Sequence, residues 1–182
     1  GNVAAVGLEM FCDLLEQAAA DLRGEPIKFD IEPELTLEKP GYLPEEYIPD
    51  VERRLEFYKR LASSYSEEEV ENTAADLRDR FGPLPAETLD LIQGMEVKAI
   101  SRRLRIRGVE VKTKELIIHL ASDTNVNPDA VIAIVREDAG RVRLNSDLTL
   151  RVRFKPEEDG GVTGAIHFLH RLEAYGNNLA IS

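Results

Sequence analysis

The chain has 182 residues, a length that favours one domain or one domain with an appended element. Its 34 acidic and 23 basic residues give a net charge of −11, so nucleic acid is an unfavourable partner unless basic residues cluster locally. The single cysteine, Cys12, excludes an internal disulfide and a cysteine-based zinc site. No apolar run approaches the length of a membrane span and no signal peptide is visible, so we predict a cytoplasmic protein without membrane contact.

The first 49 residues divide into two predicted segments. Residues 1–24 are predicted to form an amphipathic helix, because their apolar residues recur at spacings of three and four. Residues 25–49 are acidic and rich in proline, which forbids a long helix. Leu35 and Leu37 alternate with polar residues in this segment, which predicts an edge or surface strand.

Residues 50–182 are predicted to form a further domain that opens with three helices. The first covers about 50–63, and the second follows a capping box at Ser66 and Glu69 and ends at Gly82. The third is predicted from about Pro85 to Ile106. Its inward positions are predicted to be Leu89, Ile92, Met95 and Ala99.

The apolar period then changes from that of a helix to that of strands. Residues 109–120 predict a hairpin, and Asn127 with Pro128 predicts the start of a helix that ends at Gly140. A second hairpin is predicted over residues 141–154, followed by a last helix over about 163–175. A helical N-terminal half followed by two hairpins interleaved with helices indicates an α+β fold.

Phosphate-binding loops and nucleophile elbows are absent from the sequence, so we expect no catalysis by this chain. His167, His170 and Glu173 lie three residues apart on the last predicted helix, a spacing that could place two metal ligands on one face. Helical zinc motifs instead use histidines four residues apart, so a solvated helix face is the favoured interpretation. We therefore expect neither a metal nor a cofactor.

Four arginines alternate with apolar residues along the second predicted hairpin. A period of two places them on one face of the hairpin. They are Arg141, Arg143, Arg151 and Arg153. This face is interpreted either as a solvated surface balanced by carboxylates or as a patch that contacts protein or nucleic acid.

The second predicted helix ends with charged residues on an exposed face. Asp76, Asp79 and Arg80 are spaced by three and four residues, so they share that face. The guanidinium of Arg80 can bind a carboxylate of its own helix or of a partner. Chemistry alone favours an ordinary helix ion pair here.

An ordered series of motifs resembles one known family. The series runs from Tyr47-Ile48-Pro49-Asp50 through Tyr58-Lys59-Arg60 to Asp79-Arg80-Phe81-Gly82-Pro83-Leu84-Pro85. It is similar to the C-terminal domain of bacterial transcription-repair coupling factors, and Val126-Asn127-Pro128 matches further along. The opening residues from Gly1 resemble the segment that leaves the DNA-translocase motor of that family.

The resemblance implies a regulatory domain within a larger protein. Members of the family act on stalled RNA polymerase with an ATP-dependent DNA translocase and recruit the excinuclease protein UvrA in nucleotide excision repair. Their C-terminal domain packs on the N-terminal domain that binds UvrA and restrains the motor. By motif position, the implied contact residues are Asp76, Asp79 and Arg80, and the isolated domain is expected to be a monomer. A nucleic-acid-binding module that uses the arginine face remains the alternative.

Overall fold

Five helices and five strands make up the part of the chain that the structure describes. This computed structural model describes residues 30–181, with side chains described up to position 175. In chain order the elements are β1 (Glu34–Leu37), α1 (Val51–Ala62), α2 (Glu67–Phe81), α3 (Ala86–Arg103), β2 (Ile106–Val111), β3 (Glu115–Leu120), α4 (Pro128–Glu137), β4 (Val142–Leu144), β5 (Thr149–Arg153) and α5 (Gly161–Ile181). The predicted α+β class is confirmed, whereas the helix predicted over residues 1–24 lies outside the described residues.

The strands form one mixed sheet in the order β1-β2-β3-β5-β4. Strand β1 pairs in parallel with β2, and the remaining pairs are antiparallel. Both predicted hairpins are confirmed, β2 with β3 and β4 with β5. The predicted edge strand in the proline-rich segment is also confirmed, because β1 occupies one edge of the sheet.

One face of the sheet packs on α3, α4 and α5. The strand residues of that face are apolar and buried, as the alternation of side chains along a strand requires. They include Val109, Val111, Leu116, Ile118, Leu120, Val142, Leu150 and Val152. The opposite face carries the alternate side chains and is covered by no other described element.

A second core lies between α1, α2 and the N-terminal part of α3. Phe57, Leu61 and Leu77 are among its buried side chains. Helix α3 contributes to both cores, with Ile92 in the helical core and Ile100 in the sheet core. This central helix therefore connects the two parts of the unit formed by Ile31–Ser182.

Local signals place the helix starts correctly. The Asp50 side chain accepts hydrogen bonds from the amides of the first turn of α1. In the predicted capping box, Ser66 Oγ accepts the Glu69 amide at 3.1 Å, and the Glu69 carboxylate accepts the Tyr65 amide at 2.7 Å. Each cap satisfies donors that the helix itself leaves unpaired.

Two expectations for α3 are wrong. The helix ends at Arg103 rather than Ile106, because Arg105 adopts a left-handed φ of 52° that redirects the chain into β2. Leu89, predicted to face inward, is 49% exposed because it lies on the side of α3 that neither core covers. None of the described helices is both long enough and apolar enough to cross a membrane.

Candidate functional site

The three residues predicted at the end of α2 lie together on the protein surface. Asp76 accepts a hydrogen bond from Arg60 Nη1 at 2.7 Å on one carboxylate oxygen, and Arg80 Nε lies 2.9 Å from the other. Arg60 belongs to α1, so Asp76 connects the two helices. The hydrogen bond from Arg60, together with the charges of both arginines, lowers the pKa of Asp76. The carboxylate is therefore ionised and fixed at neutral pH.

A cluster of aromatic rings packs against the buried side of this ion-pair group. The Phe57 ring is buried, and the guanidinium carbons of Arg60 and Arg80 lie 5.1 and 5.8 Å from its centroid. Such positions over an aromatic face favour cations. Phe57 also packs edge-on against Phe81, with ring centroids 5.8 Å apart. The two arginines are thus held against a rigid apolar base.

Tyr47 fixes the end of α2 from the preceding segment. Its hydroxyl donates to the Gly82 carbonyl at 2.7 Å and lies 3.1 Å from the Leu77 carbonyl. Gly82 caps the C-terminus of α2 and Leu77 lies near that end of the helix, so one hydroxyl connects the segment before α1 to the end of α2. Gly82 itself has a φ of 88°, a conformation that favours glycine. The DRFG motif is therefore a well-ordered helix end.

Asp79 differs from its two neighbours. It is exposed, and within residues 30–175 no ion pair is formed by its carboxylate. This carboxylate lies beside the fixed Arg60–Asp76–Arg80 group and remains available to a partner. We name these four residues the α2 end cluster. Its predicted role as an interdomain contact stays a prediction.

Sequence reasoning missed Arg60 as a member of this cluster. The short connection between α1 and α2 was a usable signal, because it makes the two helices antiparallel neighbours. Which residue of α1 would face Asp76 depends on how the helices are rotated against each other. That rotation is set by the burial of Phe57 and Leu61.

The four predicted arginines of the second hairpin do not behave alike. Arg141 is bound to Asp138 at 3.1 Å and to Glu158 at 3.0 Å, so its charge is balanced within the domain. Arg151 lies 3.2 Å from Glu115 on the neighbouring strand. Arg143 and Arg153 are exposed, and Arg153 is paired with Glu115 across the ladder between β3 and β5. The predicted patch is thus reduced to one corner of the sheet.

The two histidines of the last helix lie in different surroundings. His170 Nε2 lies 2.9 Å from Glu67 Oε1, and Glu67 with Glu173 could offer two further ligand atoms within 4.8 Å. Arg103 already occupies the position between them, with 2.8 Å contacts to both carboxylates. His167 instead lines a shallow cavity beside Arg141 and Arg171. We therefore assign Glu67, Arg103, His170 and Glu173 to an ion network that joins α2, α3 and α5.

Comparison with known proteins identifies the family. The sequence model described as "TRCF domain" matches residues 37–131, just over half of the chain. The chain is 38% identical over 153 residues to the transcription-repair-coupling factor of Myxococcus xanthus, and 33% identical over 156 residues to that of Escherichia coli. These matches cover 84% and 83% of this chain but only 13% and 14% of the two relatives.

A solved structure has the same fold. The crystal structure of the C-terminal domain of a transcription-repair coupling factor superposes with a TM-score of 0.68 and 21% identity. The superposition covers 82% of this chain and 96% of that domain. The matching family model over residues 37–131 and relatives that are 38% and 33% identical together define the class of domain. The chain belongs to the TRCF domain family of transcription-repair coupling factors.

Proposed function

We propose that this chain is the non-catalytic, autoinhibitory C-terminal domain of a transcription-repair coupling factor. In this proposal its α2 end cluster packs on the N-terminal domain of the parent protein and masks the surface that binds the excinuclease protein UvrA. The same contact restrains the ATP-dependent DNA translocase until RNA polymerase is engaged on DNA. The observation that carries the proposal is the exposed, preorganised α2 end cluster at the DRFG motif.

The geometry of the cluster suits a contact that must open and close. The Arg60–Asp76–Arg80 group is fixed before binding, so little side-chain freedom is lost when a partner docks. Asp79 offers a carboxylate to a basic partner residue. Charged groups at the edge of a polar contact contribute modestly, which keeps the contact reversible.

Tethering within one chain makes modest contacts sufficient. Domains joined by a flexible connection meet at an effective concentration of the order of millimolar. A coupling of roughly 1–3 kcal/mol then shifts the open and closed populations by about 5- to 150-fold. The cluster therefore needs few charge pairs to hold the parent protein closed.

The test is charge removal in the full-length parent protein. Asp76→Ala with Arg80→Ala is expected to raise both the affinity for UvrA and the basal ATPase rate by about tenfold. Binding is measured by titration and ATPase by phosphate release. The melting temperature of the 182-residue chain with the same substitutions shows whether the domain remains folded.

A matched control lies on the same helix. Arg78 contacts Glu71 on α2, and both residues are exposed. Glu71→Ala with Arg78→Ala removes the same two charge types away from the cluster, so binding and ATPase should stay at the level of the unmodified protein. Equal effects of the two double variants, or no effect of either in a folded protein, would contradict the assigned surface.

A further inference from the structure

Strand β1 leaves one edge of the sheet open within the part of the chain that the structure describes. Of the described helices and strands, only β2 and α3 contact β1. The opposite edge of the sheet differs, because Ala139, just after α4, forms an isolated bridge with Val142 of β4. The open edge is therefore the outer side of β1.

The hydrogen-bonding groups on the outer side of β1 belong to two leucines. The Glu38 amide, just after β1, donates to the Val111 carbonyl of β2 at 3.2 Å. Backbone groups alternate between the two sides of a strand, so those of Thr36 also face β2, and those of Leu35 and Leu37 face outward. The amide and carbonyl groups of both leucines are thus available to a further strand.

The side chains of the same two leucines lie against α3. A Cβ atom on Gly94 of α3 would lie 2.9 Å from Leu37 and 3.8 Å from Leu35. Both leucines pack on the sheet core but are only partly buried. Because side chains alternate along a strand, an added strand would extend this apolar layer with every second residue.

The sheet face opposite α3 is acidic beside this edge. Glu34 is exposed and forms no ion pair among the residues described. Glu110, on the neighbouring strand, contacts His119 at 2.9 Å. The chain carries a net charge of −11, so positive side chains are favoured on this face of an added strand.

We propose that the outer edge of β1 binds an extended protein segment in which basic and apolar side chains alternate. The backbone of this segment pairs with Leu35 and Leu37, its apolar side chains lie toward α3, and its basic side chains lie beside Glu34. Pro33 and Pro40 bound the edge, because proline lacks the N–H group that a ladder needs. The pairing is therefore short and reversible. It is separate from the α2 end cluster, since β1 contacts neither α1 nor α2.

A second copy of the chain fits the same edge less well. Antiparallel pairing of two β1 strands about Thr36 would place Glu34 of each copy opposite Glu38 of the other. Like charges at paired positions destabilise a sheet. Two chains that each carry a net charge of −11 also repel each other.

The test adds a short synthetic peptide that alternates lysine and valine to the 182-residue chain. Hydrogen exchange, followed by NMR, should be fast for the Leu35 and Leu37 amides in the free chain. With about nine-tenths of the chain bound, these two amides should exchange about tenfold more slowly. The Thr36 amide, which faces β2, should exchange slowly throughout. A peptide that alternates glutamate and valine should leave all three rates unchanged.

The variant Glu34→Lys tests the charge without altering the core, and its melting temperature shows that it remains folded. It should weaken binding of the lysine–valine peptide by about three- to tenfold, measured by fluorescence anisotropy. The matched control Glu56→Lys, at an exposed position of α1, changes the net charge equally. Because it lies away from β1, it should weaken binding by less than about twofold.

An N-methylated form of the lysine–valine peptide tests the backbone pairing. It keeps the charges but cannot donate to the leucine carbonyls, so it should not bind.

Four results would overturn the proposal. The lysine–valine peptide could fail to bind at millimolar concentration, or bind while the Leu35 and Leu37 amides keep their fast exchange. The N-methylated peptide could bind as tightly as the unmethylated one, or Glu34→Lys and Glu56→Lys could weaken binding equally. Protection of the two leucine amides that rises with protein concentration, without peptide, would instead identify a contact between copies of the chain.

Discussion

Arg102 shows how one buried charge organises the helical part of the domain. Its side chain is only 5% exposed and donates to the carbonyls of Ser64 at 2.5 Å and Ala62 at 2.8 Å. These carbonyls lie at the end of α1, where the helix dipole favours a cation. A second interaction, 3.0 Å to Glu32, attaches the segment before β1.

Replacing Arg102 with methionine should destabilise the domain strongly. Arg102→Met keeps much of the volume but leaves two carbonyls without their donor, so we expect a loss of about 2–4 kcal/mol in the free energy of unfolding. Urea unfolding measures this. Glu32→Gln is the control, and because Glu32 is 66% exposed its loss should stay below about 1 kcal/mol. Equal losses would mean that the ion pair, rather than the carbonyl contacts, is the important interaction.

Gly41 is required by a close approach of two backbone segments. A Cβ atom at this position would overlap the backbone nitrogen of Leu91 and the carbonyl oxygen of Glu87 in α3. Gly41→Ala should therefore cost about 3 kcal/mol or more. Gly140→Ala is the comparison, since no atom lies within 4 Å and only its φ of 93° opposes a side chain, at about 1–2 kcal/mol. Thermal or urea unfolding that ranks the two variants in the opposite order would contradict this account.

At the scale of elements, three helices are joined by the ion network around Glu67. Burial raises the pKa of Glu67, but hydrogen bonds from Arg103 and His170 outweigh burial and lower the pKa to about 2. A carboxyl whose pKa is depressed on folding stabilises the protein fully above its ordinary pKa of 4.5. That contribution is lost as the pH falls from about 4.5 toward 2.

The variant Glu67→Gln tests this pH dependence. Because the side chain is 31% exposed, solvent screening reduces the expected contribution to about 1 kcal/mol at pH 7. The difference between the unmodified chain and the variant should shrink as urea unfolding is repeated at lower pH. A difference that stays constant down to about pH 3 would mean that Glu67 acts through packing rather than charge.

Glu96 provides a control, because its substitution should change the free energy of unfolding in the opposite direction. Burial, with the charges of Glu67 and Glu71, raises the pKa of Glu96. Its ionisation therefore destabilises the folded state at neutral pH, and Glu96→Gln should increase the free energy of unfolding by roughly 0.5 kcal/mol at about pH 7. The gain should disappear below about pH 4.5. A loss of stability at neutral pH would contradict the electrostatic interpretation of the network.

Local signals in the sequence account for most of the elements. Caps, prolines and the change of apolar period predicted the described helices and both hairpins near their observed positions, and a strand in the proline-rich segment. The buried face of α1 was not predictable in the same way. Val51 and Leu55 suggest an apolar stripe but are 57% and 54% exposed, whereas Phe57 and Leu61 are buried. Packing against distant aromatic residues, which no local period encodes, decides this rotation.

At the scale of the whole molecule, the candidate site was predictable only in part. The spacing of Asp76, Asp79 and Arg80 placed them on one exposed face, and the structure places them there. Arg60 and Phe57 join them from another helix, so they depend on tertiary packing. The hairpin arginines shared a predicted face, but the carboxylates that balance Arg141 come from the end of α4 and from a later loop. Pairing between distant segments was not visible in one sequence.

The two cores should unfold together, because α3 belongs to both. Leu77 is fully buried in the helical core, so Leu77→Ala should cost about 2–5 kcal/mol. Loss of that core exposes one side of α3, and the sheet core then loses the helix on which Ile100 is held. Helical circular dichroism and the NMR signals of sheet amides should therefore disappear at one urea concentration, lower than in the unmodified chain. Leu150→Ala, in the sheet core, should shift both signals in the same coincident way. If Leu77→Ala lost its helical circular dichroism at a lower urea concentration than its sheet amide signals, the two cores would be independent folding units. That result would contradict the shared role of α3.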